Sequence, residues 1–166
     1  MENMPRGLGP FGAADDIAVQ RGIAEFQAGR PVVIADAEDM IVAFPVDGLT
    51  ERTWSAFKVL CSPVAPRLVI TKRRARVIGL EVPGPVFIAV AAGDTRDTIC
   101  SLAVGLHCER RGAAGMAGAA ATRAIDLAKL AQRFPALLVA DAKAVAPAML
   151  AQMIVVHADA LARVND

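Results

Sequence analysis

Residues Pro31–Pro45, which read PVVIADAEDMIVAFP, predict a buried β-strand, a short acidic turn and a second apolar strand. The first run is apolar without alternation, which is typical of a strand covered on both faces of its sheet. The turn carries Asp36, Glu38 and Asp39. Carboxylates at the end of a buried strand are well placed to hold a metal ion or a polar substrate. An alternative is a solvent-exposed turn whose aspartates accept hydrogen bonds from backbone N–H groups.

The composition limits the class of protein. A chain of 166 residues is long enough for one domain with a substantial core. It is 55% hydrophobic with 4% aromatic residues and no Tyr, so aliphatic side chains must fill that core. A net charge of +1 gives no overall field that would attract nucleic acid or an anionic membrane. Because we find neither a membrane-spanning run nor a secretory signal pattern, and the three cysteines form no CxxC pair, we expect a cytoplasmic protein.

Predicted strands and helices alternate along the chain. Residues 1–12 contain three Gly and two Pro and predict a flexible arm, so the folded domain is expected to span residues 13–166. Further strands are predicted at 67–71, 86–91, 136–140 and 153–156. Helices are predicted at 15–28, after Thr50, at 72–78, at 95–106 and at 119–133, with an irregular glycine-rich segment at 107–118. This alternation predicts a single α/β (α+β) domain with a mixed β-sheet flanked by helices.

Several stretches share their order and local pattern with one known family. They are the Gly29-Arg30 pair before VVIADAEDMI, then RLVITKRRARVIGLEVP, PVFIAVAA, AATRAIDLAKLAQRFPALLVAD and MIVVHADALA. Together they resemble 3,4-dihydroxy-2-butanone 4-phosphate synthase, the riboflavin-pathway enzyme, over most of residues 13–164. The resemblance implies that family's fold, a homodimer, and a magnesium-dependent lyase reaction. That reaction converts ribulose 5-phosphate to dihydroxybutanone phosphate and formate.

The resemblance also implies candidate site residues. Asp36 matches the first Asp of the family's acidic loop, and Asp39 matches the Asp that precedes Met-Ile. Glu38 is an adjacent acid, and Asp141 stands where the family has a late catalytic Glu. These four acids are the candidate catalytic residues. Glu38 and Asp39 are also the candidate ligands for Mg²⁺.

A second set of candidates lies where the chain departs from the family's pattern. The family's R-x-G-H-T-E-A segment supplies a metal-binding His and phosphate contacts. Here Ala117, Ala120 and Ala121 stand at the Arg, His and Thr positions, and Thr122 stands at the Glu position. Thr122 and His107, which matches the His of a Pro-Gly-His motif, are candidate substrate-binding residues. Since alanine cannot coordinate a metal and the acidic loop is shortened, we expect the family reaction to be impaired or altered.

The sequence leaves open whether the chain is an enzyme. One hypothesis is a diverged, impaired synthase. A second is an active synthase in which Asp36, Glu38, Asp39, Thr122 and Asp141 supply the chemistry together with Mg²⁺. A third is a non-catalytic binding or assembly module that recognises a partner protein or a small anion. A sugar phosphate is the ligand that the first two hypotheses share.

A basic cluster of Lys72, Arg73, Arg74 and Arg76 could contact the phosphates of a polyanion. It spans about one helical turn of a nearly neutral chain, and no aromatic residues accompany it as a stacking platform. We interpret it as a solvated helix face, and we expect no nucleic-acid partner.

Overall fold

Strands and helices alternate in the structure, a computed structural model that describes residues 12–106 and 109–165. The β-strands of this part are β1 (Val32–Ala35), β2 (Met40–Pro45), β3 (Arg67–Ile70), β4 (Val86–Ala89), β5 (Ala113–Met116), β6 (Leu137–Asp141) and β7 (Val155–His157). The α-helices are α1 (Ala14–Gln27), α2 (Glu51–Cys61), α3 (Lys72–Val77), α4 (Arg96–Val104), α5 (Ala119–Leu130), α6 (Pro147–Leu150) and α7 (Ala158–Asn165). Nearly all of the predicted arm at 1–12 lies outside the described residues.

The strands form one mixed sheet in the order β5-β4-β3-β6-β2-β1-β7. The pairing of β1 with β7 is parallel, and the other neighbouring pairs are antiparallel. Strands β1 and β2 form a hairpin in which Ala35 faces Met40 across the ladder. Strand β6 lies between β2 and β3, and its last residue, Asp141, pairs with Ile41. This register brings the end of β6 beside the acidic turn.

Helices cover both faces of the sheet. On one face, Val33 and Val42 pack in a cluster with residues of α2, α3 and α4. On the other face, Ile34 and Ile41 pack with residues of α1, α5 and α7. Neighbouring residues of a strand point to opposite faces, so a strand between two helical layers is apolar along its whole length. All four residues of β1 are buried, which confirms the burial predicted for this strand.

Local sequence signals set the ends of several helices. Thr50 accepts a hydrogen bond from the Thr53 backbone N–H, and Thr53 reciprocates, which forms a capping box at the start of α2. Thr71 and Thr95 cap α3 and α4 in the same position. Gly29 follows α1 with a φ of 74°, a conformation in which glycine carries no side-chain penalty. These ends agree with the predicted helix boundaries to within a few residues.

Strand β5 corrects the sequence prediction, because residues 107–118 were expected to be irregular. Its residues Ala113–Met116 pair with β4, yet all four are exposed. Alanine and glycine are poor strand formers, and no alternation of buried and exposed residues marks the segment. The predicted single domain with a mixed sheet flanked by helices is otherwise what the structure shows. Among the described helices, none is both long and apolar enough to cross a membrane.

Candidate functional site

The acidic turn is the loop of the β1–β2 hairpin. The backbone N–H of Asp36 donates to the carbonyl oxygen of Asp39 over 2.7 Å, which closes the turn. Asp36 is half-buried, whereas Glu38 and Asp39 are exposed. The two exposed carboxylates therefore project from a short turn that the flanking strands hold in place.

Asp141 reaches the same region from β6. One of its carboxylate oxygens, Oδ1, accepts a hydrogen bond of 2.9 Å from the backbone N–H of Lys143. This bond starts the 3₁₀ helix Ala142–Ala144. Asp141 thus turns the chain out of the sheet and remains exposed at its surface.

The turn and the segment after β6 enclose a cleft of about 520 Å³. We call it the acid cleft. Its charged lining residues are Glu38, Asp39, Asp141 and Lys143, and its apolar wall includes Leu150. Three of the four predicted catalytic acids therefore share one cleft, while Asp36 is not among the residues that line it. Sequence reasoning missed Lys143, since no motif marks it.

The N-terminus of α5 lies next to the acid cleft. A Cβ atom placed on Gly118, the residue before α5, would be 3.7 Å from Oδ2 of Asp39. The exposed N–H groups of a helix N-terminus favour negative charge nearby, so Asp39 is electrostatically matched to α5. Ala120 and Ala121 are buried in the core. Thr122 is half-buried on α5 and is not among the lining residues of the acid cleft.

The described side chains do not by themselves form a metal centre. In residues 12–106 and 109–165, no group of three or more His, Cys, Asp or Glu side chains is arranged to hold a metal ion. Glu38, Asp39 and Asp141 line one cleft without converging as a chelating set. Binding of Mg²⁺ by Glu38 and Asp39 stays a prediction. His107 lies outside the described residues.

The described cysteines are not activated nucleophiles. Cys61 is buried and Cys100 is half-buried, and both are free thiols. Burial is the largest influence on each, and it raises the pKa of both thiols above the ordinary value. A thiol with a raised pKa carries less of the reactive thiolate at neutral pH, so neither residue is suited to nucleophilic catalysis.

A second polar feature, which we call the ion-pair cluster, consists of Asp94, Glu109 and Arg111. Arg111 holds both carboxylate oxygens of Asp94, at 2.6 and 3.0 Å, and also contacts Glu109. The Ala91 backbone N–H donates to Asp94 as well, over 2.7 Å. The hydrogen bonds from Arg111 are the main reason that the pKa of Asp94 lies below its usual range. The cluster borders a cleft of about 680 Å³.

Comparison with known protein sequences gives a partial match. No profile of a known protein family matches the chain. Over 84 residues it is 34% identical to "GTP cyclohydrolase-2" from Xylella fastidiosa (strain 9a5c), a match that covers 49% of this chain and 21% of that relative. The chain thus spans about one fifth of the length of the curated relative that it matches.

Solved structures are similar over most of the chain. RibBX, a two-domain 3,4-dihydroxy-2-butanone 4-phosphate synthase from A. baumannii, matches with a TM-score of 0.59 and 17% identity over 86% of this chain and 56% of that one. The synthase of Candida albicans matches with a TM-score of 0.61 and 15% identity, and the match covers 89% of this chain and 97% of that one. A cation-free form of the synthase matches with a TM-score of 0.60 and 14% identity, and the match covers 87% of this chain and 95% of that one. The chain has the fold of 3,4-dihydroxy-2-butanone 4-phosphate synthase.

The synthase fold confirms the resemblance inferred from the sequence at the level of architecture. At identities of 14–17%, the structural match speaks to the path of the chain and not to its chemistry. The structure adds the positions of the candidate site residues relative to one another. It brings Glu38, Asp39 and Asp141 to one cleft, and it puts core alanines at the adjoining end of α5. The roles assigned to these residues, and to Asp36 and Thr122, stay predictions.

Proposed function

We propose that the chain is a diverged relative of 3,4-dihydroxy-2-butanone 4-phosphate synthase whose acid cleft binds a sugar phosphate. We further propose that it is impaired or altered in the synthase reaction. One observation carries the proposal. On a synthase fold, Glu38, Asp39 and Asp141 line the same cleft, whereas the adjoining positions 120 and 121 are buried alanines.

The lining side chains suit recognition of a hydroxylated ligand. Ionised carboxylates such as those of Glu38 and Asp39 accept hydrogen bonds from sugar hydroxyl groups. Such a carboxylate can also take a proton from a bound substrate when it lies within hydrogen-bond reach. The cleft thus retains candidate proton acceptors. A volume of about 520 Å³ is in the range of ordinary small-molecule sites.

The expected impairment follows from the residues at the start of α5. Buried Ala120 and Ala121 offer neither a metal ligand nor a hydroxyl group to a substrate. Each acid–base contribution to catalysis is worth about 10²–10⁴-fold in rate, so losing more than one removes most of the acceleration. The described side chains also do not form a chelating set that would hold a metal ion for the reaction.

The test is an assay for formate release from ribulose 5-phosphate, with and without Mg²⁺, alongside calorimetric titration of the same ligand. We expect binding, with turnover far below the roughly 1–10³ s⁻¹ of ordinary enzymes. Glu38→Gln should weaken binding. Glu81→Gln, which alters an exposed carboxylate outside the cleft, should leave binding unchanged.

Two results would contradict the proposal. Formate release at ordinary rates, lost in Asp39→Ala, would show an active synthase that uses the acids of the cleft. That alternative is favoured by the fact that Glu38, Asp39 and Asp141 do share one cleft. Absence of ribulose 5-phosphate binding would instead favour a non-catalytic binding or assembly module.

We also infer that the protein acts as a homodimer in the cytoplasm. The described surface exposes large apolar side chains, including Met116 at 50% and Leu106 at 93%, which suit contact with a second copy. Sedimentation velocity at micromolar concentration measures the assembly directly. A single species with the mass of one chain, 17.3 kDa, would contradict the homodimer.

A further inference from the structure

The acid cleft has an uneven charge distribution. Its described lining residues carry three carboxylates, those of Glu38, Asp39 and Asp141, and one ammonium group, that of Lys143. Three carboxylates repel an anionic ligand, so a ligand with an anionic group needs a compensating cation within the cleft. Among the described residues that line the cleft, Lys143 is the only one that carries positive charge.

The backbone of Lys143 is held in place while its side chain is exposed. Its N–H donates to Oδ1 of Asp141 over 2.9 Å, and its neighbour Ala142 is buried at 5% exposure. The base of the lysine is therefore fixed relative to one of the cleft acids. A long flexible side chain on a fixed base can direct its ammonium group to a ligand in the cleft.

A second source of positive potential near the cleft lies beside a carboxylate. This is the N-terminus of α5, where Oδ2 of Asp39 lies 3.7 Å from the position that a Cβ on Gly118 would take. The helix offers no acidic side chain of its own in the first turn and no side-chain cap, so Asp39 is the negative group matched to it. A ligand anion placed there would meet the charge of Asp39. Among the described lining residues, Lys143 is the cation that could bind that anion.

We propose that Lys143 is the anion-recognition residue of the acid cleft. The ligand is a small polyol with one anionic group. Its hydroxyl groups lie toward Glu38 and Asp39, and its anion lies at Lys143. This inference rests on the proposed function, and it names the residue that distinguishes a phosphorylated sugar from the neutral sugar.

The experiment compares two ligands that differ only in charge, ribulose 5-phosphate and ribulose, by calorimetric titration. Loss of one charge-assisted hydrogen bond weakens binding by about 10- to 100-fold. We expect Lys143→Met to show that loss for ribulose 5-phosphate and no change for ribulose. Lys143→Arg should keep most of the affinity for the phosphate. Lys129→Met, an exposed lysine on α5 outside the cleft, is the matched control and should behave as wild type.

Each result decides between the inference and the proposed function. Equal affinity of wild type and Lys143→Met for ribulose 5-phosphate would overturn the inference alone. Equal losses for both ligands, or equal losses in Lys143→Met and Lys129→Met, would also overturn it. A wild-type protein that binds neither ligand would overturn the proposed function. Fluorescence of Trp54, the only tryptophan, reports whether each variant is folded.

Discussion

The acid cleft and the ion-pair cluster use carboxylates in opposite ways. In the ion-pair cluster, the Asp94 side chain is 8% exposed, and hydrogen bonds from Arg111 and the Ala91 backbone satisfy it. In the acid cleft, Glu38 and Asp39 are exposed on a hairpin turn. A satisfied, buried carboxylate stabilises the fold, whereas an exposed one in a concave surface is available to a ligand. The difference separates structural acids from candidate functional ones.

The largest expected effect is loss of stability in Asp94→Ala. Removing one partner of a buried ion pair leaves the other charge uncompensated. Arg111 keeps some solvent access and its contact with Glu109, so we expect a loss of about 2–3 kcal/mol in the free energy of unfolding. Urea unfolding followed by Trp54 fluorescence measures it. Glu81→Ala, at an exposed position outside the helices and strands, is the control and should cost less than about 0.5 kcal/mol.

The second prediction concerns the pH dependence of stability. The folded pKa of Asp94 is lowered by Arg111, so the folded state holds this proton less tightly than the unfolded chain does. The resulting stabilisation is fully present above the unfolded pKa of about 3.9 and is lost as the pH falls through the folded value. Urea midpoints should therefore fall more steeply for wild type than for Asp94→Asn once the pH drops below about 4, in a series that extends to about pH 2. If the urea midpoints of wild type and Asp94→Asn fell equally with pH, Asp94 would not contribute to the loss of stability in acid.

A smaller effect is expected for Asp39→Asn. It removes negative charge near the N-terminus of α5, which should cost about 0.3–1 kcal/mol of stability at low ionic strength. The loss should shrink in about 1 M salt, where the screening length falls to about 3 Å. A loss that does not change with salt would point to packing rather than to charge as the role of Asp39.

The smallest expected effect on stability is that of Glu38→Gln. The residue is exposed on the hairpin turn, so the free energy of unfolding should change by less than about 0.5 kcal/mol. The affinity for ribulose 5-phosphate should fall in the same variant. A stability loss comparable to that of Asp94→Ala would erase the contrast between the two regions.

Much of the fold could be read from the sequence, because its signals are local. The unbroken apolar run of Val32–Ala35 predicts a buried strand, and Thr50 and Gly29 mark helix ends. Strand β5 could not be read in this way. Its Ala113–Met116 backbone is a strand only because β4 offers it a ladder partner, and no side-chain pattern records that pairing.

In the candidate site, too, local sequence signals predict some of the neighbours, and only the fold reveals the others. Glu38 and Asp39 are sequence neighbours, so their joint position follows from one predicted turn. Asp141 was placed with them through a family resemblance, and the β2–β6 register explains the proximity. Asp94 and Arg111 are 17 residues apart and belong to no sequence motif. Their ion pair is therefore visible only in the folded structure.

The parallel pair of β1 and β7 determines when the sheet can be completed during synthesis. Residues Val33–Ala35 of β1 cannot form their parallel ladder until Val155–His157 of β7 have been synthesised. Among the described elements, only α7 follows β7 in the chain. Until then the apolar strand β1 is an edge of the sheet, and its outer N–H and C=O groups have no ladder partner. Such an edge is a template for pairing between chains, so we expect a chain without β7 to aggregate more readily than the folded domain.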